Sequence, residues 1–511
     1  MDAFEVRRQL VTDYAEYIRG FIHIRDQKIR VHVESGLASG LLWPDPLIQL
    51  NPAFEPGDSI DELVEARILH DECANVFQKD KQPGPNNTGK ALRLYKHQSD
   101  AIRVAVGGQN YVLTTGTASG KSLAYIVPIV NHVLRRGSRR GIQAIIVYPM
   151  NALANSQYGE LKKFLYYGYP DDRPPVRFAQ YTGQEKDAQR DAILADPPDI
   201  LITNYVMLEL ILTRPAEKRL VEAARGLKFL VMDELHTYRG RQGADVAMLI
   251  RRVRDRIGDD NLQYVGTSAT LAGAGTHDQQ RVEVARVATK FFGAEVRPEN
   301  VIGETLRPAT DWGPIHDAAF VEGLRRRITA QGDPPPTDYE SFISDPLAIW
   351  IEANIGLRRE DVTERLLRAT PRSISGEGGA AVQLAAATAL PRDRCDKVLQ
   401  EMLLASHRCS KNPDTGFPPF AFRLHQFISR GDTVYASLEP EQARFITVHG
   451  QQFVPGDRSR ILLPLVFCRE CGQEYYSVRA TNAGSPGSRI LNLANCRTLR
   501  TTAIRSLASC I

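Results

Sequence analysis

Phosphate chemistry is the first chemistry this sequence can support. Its strongest sign is Thr114-Thr115-Gly116-Thr117-Ala118-Ser119-Gly120-Lys121-Ser122, which lies between an apolar run and an apolar helical pattern. Small residues let a backbone curl until its N–H groups point at phosphate oxygens, and a helix N-terminus adds positive potential. In such a loop Thr117, Ala118, Ser119 and Gly120 form the cradle. Lys121 reaches the β- and γ-phosphates, and the Ser122 hydroxyl is placed to take Mg²⁺. The usual pattern has glycine where Thr115 stands, and Ala118 also fills a common glycine position. The loop alone therefore does not decide between a phosphate site and an ordinary strand-to-helix turn.

Two further motifs follow in order. Asp233 stands 112 residues after Lys121, at the end of Phe229-Leu230-Val231-Met232, and Glu234-Leu235-His236 comes next. A strand that delivers two adjacent carboxylates offers Asp233 to Mg²⁺, usually through water, and Glu234 to the water that attacks the γ-phosphate. The bland alternative is a solvated acidic turn. Gly266-Thr267-Ser268-Ala269-Thr270 ends the next apolar run, where hydroxyls such as those of Ser268 and Thr270 can bond to the acidic motif and relay the state of the nucleotide.

The elements that must position these groups are legible from periodicity. Short apolar runs at 111–115, 144–148, 176–181, 199–203, 229–233 and 264–267 alternate with helical patterns such as 122–135, 152–166 and 244–256. Buried strands alternating with helices predict an α/β fold with a parallel sheet covered on both faces. Ligands of such sheets bind at the loops after the strand C-termini, where every motif above falls. Around this core, 1–90 reads as an N-terminal accessory region closed by the breaker run Gln82-Pro83-Gly84-Pro85-Asn86-Asn87-Thr88-Gly89. Residues 276–440 read as mainly helical. Within them 382–405 is either a small winged-helix-like unit or two ordinary amphipathic helices. A β-rich segment spans 441–478, and 479–511 forms a basic tail.

At 511 residues with 43% hydrophobic and 24% charged composition, the chain is expected to fold as several globular domains. It has no apolar run of spanning length and no signal-like start, so a cytoplasmic protein without a membrane partner is expected. Seven cysteines, an odd number in a long chain, argue against a disulfide framework. The net charge of +4 neither supports nor excludes a nucleic-acid partner, because what matters is basic charge gathered on one face. Oligomeric state is not legible.

The series Gly-Lys-Ser, Asp-Glu-Leu-His and Ser-Ala-Thr resembles motifs I, II and III of superfamily 2 DEAD/DEAH-box-type helicases. The resemblance is closer to the MrfA/YprA-like repair branch, on Thr117-Ala118-Ser119-Gly120-Lys121-Ser122, Asp233-Glu234-Leu235-His236-Thr237-Tyr238-Arg239-Gly240 and Leu94-Tyr95-Lys96-His97-Gln98. It covers 91–275 and implies a RecA-like first motor lobe that uses ATP and Mg²⁺ on single-stranded or partly duplex nucleic acid, DNA favoured. It further implies that Gln98, with Tyr95 nearby, reads adenine, and that His236 couples hydrolysis to strand movement. Pro149 and Met150, Thr182 and Gly183, and Thr203 and Asn204 would contact the strand backbone. Backbone N–H groups and threonine hydroxyls suit phosphate contacts that position without reading sequence.

A complete motor of this kind needs a second lobe with arginine fingers. Residues 276–511 carry neither a Gln-x-x-Gly-Arg-x-x-Arg motif nor the Thr…Gly-Ile-Asp motif before it. The tail from Arg479 holds five Arg and no Asp or Glu. It is either a basic arm or, the reading preferred here, the end of a truncated gene. Cys468-Arg469-Glu470-Cys471-Gly472 is half of a zinc knuckle, since tetrahedral zinc needs four ligands. Cys395, Cys409, Cys496, Cys510, His425 and His449 are candidate partners, and reduced thiols in a hairpin are the alternative. The sequence thus points to an ATP-dependent helicase or translocase, and secondarily to a binding module or fragment without efficient turnover.

Overall fold

The computed structural model describes residues 2–21, 23–116, 119–170, 173–257, 261–269, 275–313, 315–330, 334–360, 364–413, 416, 418–429, 433–482 and 489–493. They fall into two compact units, Ala53–Arg307 and a second made of Met1–Pro52 with Pro308–Ile511.

The first unit is built on seven parallel strands: β1 Tyr111–Thr114, β2 Ala144–Tyr148, β3 Phe178–Gln180, β4 Ile200–Asn204, β5 Phe229–Met232, β6 Gln263–Ser268 and β7 Val301–Gly303. Their spatial order is β7-β1-β6-β5-β2-β4-β3. Alternation of side chains divides the strands between two cores. Tyr111, Leu113, Ile146, Tyr148, Ile202 and Val231 pack on one face, and Val112, Ile145, Val147, Leu201, Leu230 and Met232 on the other.

The helices here are α1 Lys96–Val106, α2 Leu123–Arg136, α3 Asn151–Leu165, α4 Asp187–Ala195, α5 Tyr205–Thr213, α6 Lys218–Ala223, α7 Gly240–Ile257 and α8 His277–Phe292. Apolar residues of α1, α2 and α3 cover the first face. Those of α5, α6, α7 and α8 cover the second. Strands buried on both faces explain the uninterrupted apolar runs of the sequence. This is a RecA-like α/β fold.

Register decides where the chemistry falls. Ser268 pairs with Thr114, Met232 with Gly266 and with Val147, Tyr148 with Asn204, and Ile202 with Gln180. The C-terminal ends of β1, β6, β5, β2, β4 and β3 therefore lie along one edge, and each motif loop leaves from that edge.

The unit is wider than the 91–275 read from the sequence. Strand β7 joins beyond β1, and Ala53–Phe54 pairs with Leu306–Arg307. The run 82–89 marks a loop and not a domain boundary, because Gln78–Lys79 and Lys90–Ala91 pair across it and Asn86 N–H donates to Gly168 O at 3.1 Å. Turn residues report a change of chain direction, and in this case the chain returns to the same unit.

In the second unit Leu47–Asn51 pairs antiparallel with Arg372–Ser373 and Ala421–His425. Helices Ala318–Thr329, Pro346–Ile351, Ala380–Thr388 and Arg392–Arg408 share its core of Ile48, Leu50, Leu324, Trp350, Leu384 and Met402. A small antiparallel sheet includes Tyr435–Ser437, Asp457–Phe467 and Glu474–Tyr476. Among the described residues no helix is long and apolar enough to cross a membrane.

Candidate active site

The loop after β1 runs directly into α2. Leu123 N–H donates to Gly120 O and Ala124 N–H to Lys121 O, so the helical turn begins at the Gly-Lys-Ser residues. Thr117 and Ala118 lie outside the described residues. Gly120 has φ +68°, in the left-handed region, and a Cβ there would press on Gln98 Nε2. Ser119 is fixed by a 2.6 Å hydrogen bond between its hydroxyl and that of Thr115.

Lys121 Nζ lies 3.2 Å from Glu234 Oε1. Glu234 is left-handed, with φ 52° and ψ 55°, a conformation that costs a non-glycine residue roughly 1–2 kcal/mol. Strain of this kind persists where surroundings enforce it. Here the Glu234 N–H is held by Thr267 Oγ1 at 3.0 Å and its carboxylate by Lys121. The other carboxylate oxygen, Oε2, is buried 3.2 Å from His236 Nδ1 and has no hydrogen-bond donor among the described residues.

Thr267 joins both acidic residues, since its hydroxyl also donates to Asp233 Oδ1 at 2.6 Å. Burial pushes the Asp233 carboxyl up to about 6, with Glu234 adding to the rise and Thr267 and Lys121 opposing it. Ser268 Oγ and Ala269 N each stand 3.5 Å from His236 Nδ1, at the long limit of a hydrogen bond. The Thr267 hydroxyl thus holds the acidic pair, while Thr270 lies outside the described residues. The register of β5 on β6 sets Asp233 beside Thr267, which the linear sequence does not display.

Ser122 Oγ donates to Gln157 Oε1 on α3 at 2.8 Å, which leaves its lone pairs for a cation. A hydroxyl and a buried carboxylate are hard oxygen donors. That suits Mg²⁺, which takes one or two protein oxygens and completes its shell with phosphates and water.

Gln98 is only 2% exposed, and both ends of its carboxamide are hydrogen-bonded. Oε1 accepts from Tyr95 N–H at 2.8 Å, and Nε2 donates to Gly120 O at 2.8 Å. In this arrangement Gln98 braces the loop after β1 through Gly120. Buried His97 also contacts the loop, with Nε2 2.9 Å from Ser119 O. Phe54, Tyr95 and His97 form an aromatic group beside it, with ring centroids 4.8 to 5.7 Å apart.

The loops after β2, β3 and β4 are tied together by Asn204. Its Nδ2 donates to Asn151 Oδ1 at 2.7 Å and to Thr182 O at 3.0 Å, and its Oδ1 caps α5 at Met207 N–H. Thr203 is wholly buried, and its hydroxyl is spent on Tyr181 O at 2.7 Å. Both side chains thus serve as struts between neighbouring loops. Pro149 is half-buried, whereas Met150, 59% exposed, and Gly183 face solvent. Asn151, Gln157, Thr267 and Glu185 do work that sequence reading assigned to neighbours or missed.

These three motif loops on one edge of one parallel sheet agree with a family model described as DEAD/DEAH box helicase, which matches residues 95–278. Residues 95–278 are a DEAD/DEAH box helicase domain. Proteins of this family use ATP and Mg²⁺ in work on nucleic acid. The chain is 26% identical over 379 residues to Druantia protein DruE of Escherichia coli (strain UMEA 4076-1), covering 52% of this chain and 20% of that protein. It is 34% identical over 181 residues to the uncharacterized ATP-dependent helicase YprA of Bacillus subtilis (strain 168), covering 35% and 23% respectively. It thus spans about a fifth of the length of these relatives. Among solved structures, the DUF1998 helicase MrfA bound to DNA superposes with a TM-score of 0.39 at 23% identity, covering 55% of this chain and 35% of that one.

The zinc expectation gains no support from the second unit. Cys468 and Cys471 form a hairpin in which Gly472 N–H donates to Cys468 O at 3.0 Å. Among the described residues no group of three or more His, Cys, Asp or Glu is placed to hold a metal. Cys395 and Cys409 are packed in the core, where burial raises both thiols, and His425 meets Gln49. Cys496 and Cys510 lie outside the described residues.

Proposed function

We propose that the helicase domain is the ATP- and Mg²⁺-binding first lobe of a motor that moves on nucleic acid, with DNA favoured by the motif resemblance. The observation that carries this reading is the Lys121–Glu234 pair beside the Thr267-bridged Asp233, at the strand ends of one sheet. Lys121 turns from Glu234 to the β- and γ-phosphates when nucleotide enters. Its departure frees Glu234, whose Oε2 has no hydrogen-bond donor among the described residues, to orient and deprotonate the attacking water. Ser122 and Asp233 would hold Mg²⁺, which when bound neutralises charge on the phosphate oxygens. Thr267 transmits the position of the acidic pair to β6. Asn204 keeps the Asn151 and Thr182 loops at a fixed spacing for a strand backbone.

Fluorescent ATP titrated with and without Mg²⁺ tests this reading. Lys121→Ala should abolish binding, and Asp233→Asn should remove its Mg²⁺ dependence. Unchanged affinity in both variants contradicts the assignment.

A further inference from the structure

The turn after β3 already holds an anion. The Glu185 carboxylate accepts from Thr182 N–H at 2.9 and 3.0 Å, from Thr182 Oγ1 at 2.8 Å and from Gly183 N–H at 2.8 Å. Two successive N–H groups and a hydroxyl converging on one point make a small anion nest. Gly183 shapes it with φ +90°. The turn is anchored from behind, because Thr182 O accepts from Asn204. Thr182 is buried while Gly183 and Gln184 are exposed, so an incoming anion reaches the nest from the Gly183 side. Glu185 itself is half-buried, in the irregular stretch before α4, where a side-chain rotation can withdraw the carboxylate.

These are the same donors through which Thr182 and Gly183 would hold a strand phosphate, so the inference rests on the strand-binding reading above. A phosphate oxygen and a carboxylate cannot both take them, and two like charges at that separation repel. We propose that Glu185 is a built-in competitor for the strand phosphate: it fills the Thr182–Gly183 nest and gives it up when nucleic acid docks. The nest stays ordered between encounters, and grip on the strand is weaker than the donors alone would provide. A motor that must release one phosphate to take the next benefits from such a moderated contact.

The test is anisotropy of a fluorescein-labelled oligothymidine titrated with the full chain at several salt concentrations. Glu185→Gln keeps an acceptor for the N–H groups and removes the charge. It should bind several-fold to about tenfold more tightly at low salt, with the gap closing as salt rises. Glu185→Ala, which vacates the nest, should also bind more tightly. Thr182→Val should bind more weakly. Thermal melts of each variant verify folding. If Thr182→Val weakens binding while both Glu185 variants bind as wild type or worse, the competitor role is overturned and the strand contact stands. If Thr182→Val binds as wild type, the turn is not a strand contact and both ideas fall.

Discussion

Lys121 and Glu234 neutralise each other, Nζ to Oε1 at 3.2 Å, although each is assigned a separate task on a nucleotide. The pairing lets a lysine and a carboxylate stay largely out of water, since each supplies the other's counter-charge. In the function proposed above, phosphate is the switch: a ligand that draws Lys121 away releases the carboxylate. Glu234→Gln should therefore bind ATP at least as well as wild type and lose turnover by roughly 10²-fold or more. Lys121→Ala should lose nucleotide affinity and about 1–2 kcal/mol of stability, because it leaves the carboxylate half-buried and unpaired. Nucleotide titration and chemical denaturation check these separately.

Asp233 gives a pH prediction. Its carboxyl is raised from 3.8 to about 6, so the folded chain keeps the proton after the unfolded chain has lost it. The stabilisation is complete below about pH 4 and is lost as pH rises through about 6. At pH 7.5 the buried charge is a net cost, and Asp233→Asn should raise the melting temperature, by about 1–3 kcal/mol in stability. The gain should vanish near pH 4. Melts at the two pH values decide, and a variant less stable than wild type at pH 7.5 contradicts the burial account.

Gln98 supplies a test of role. As a strut that holds Gly120 O, its loss loosens the phosphate loop for any nucleotide. Gln98→Ala should weaken ATP and GTP binding by a similar factor, about three- to tenfold for the lost hydrogen bonds. Competition binding with both nucleotides gives the ratio. A loss confined to ATP would support the adenine-reading role that the sequence resemblance implied.

Asn204 joins three loops through one side chain. Asn204→Ala should cost about 1–3 kcal/mol in stability, because it removes a helix cap and leaves buried partners unsatisfied. It should also weaken oligonucleotide binding while ATP affinity is retained. Parallel titrations with nucleotide and oligonucleotide measure the split.

Much of the sheet and its phosphate loop was legible because local pattern and motif coincide there: an apolar strand, a small-residue turn and an apolar helix. Six of the seven strands fall in short apolar runs of the sequence. Val301–Gly303 escaped notice because three residues carry no period, and its place is set only by pairing with β1. The hydroxyl of Thr267 and the amides of Gln157 and Asn204 were hidden for a different reason. Their partners are 34, 35 and 53 residues away in sequence, and only the register of the sheet and the helix packed on it bring them together. Glu185 is close in sequence to the turn it fills, yet no periodicity signals a side chain that folds back on its own loop.

The central claim, that Lys121, Asp233 and Glu234 make one ATP site answering to nucleic acid, is tested most directly by ATPase rate with and without single-stranded DNA. The account predicts Mg²⁺-dependent hydrolysis that DNA stimulates and that both Lys121→Ala and Glu234→Gln abolish. Hydrolysis that persists in either variant, or nucleotide that binds and never turns over with DNA present, would contradict it.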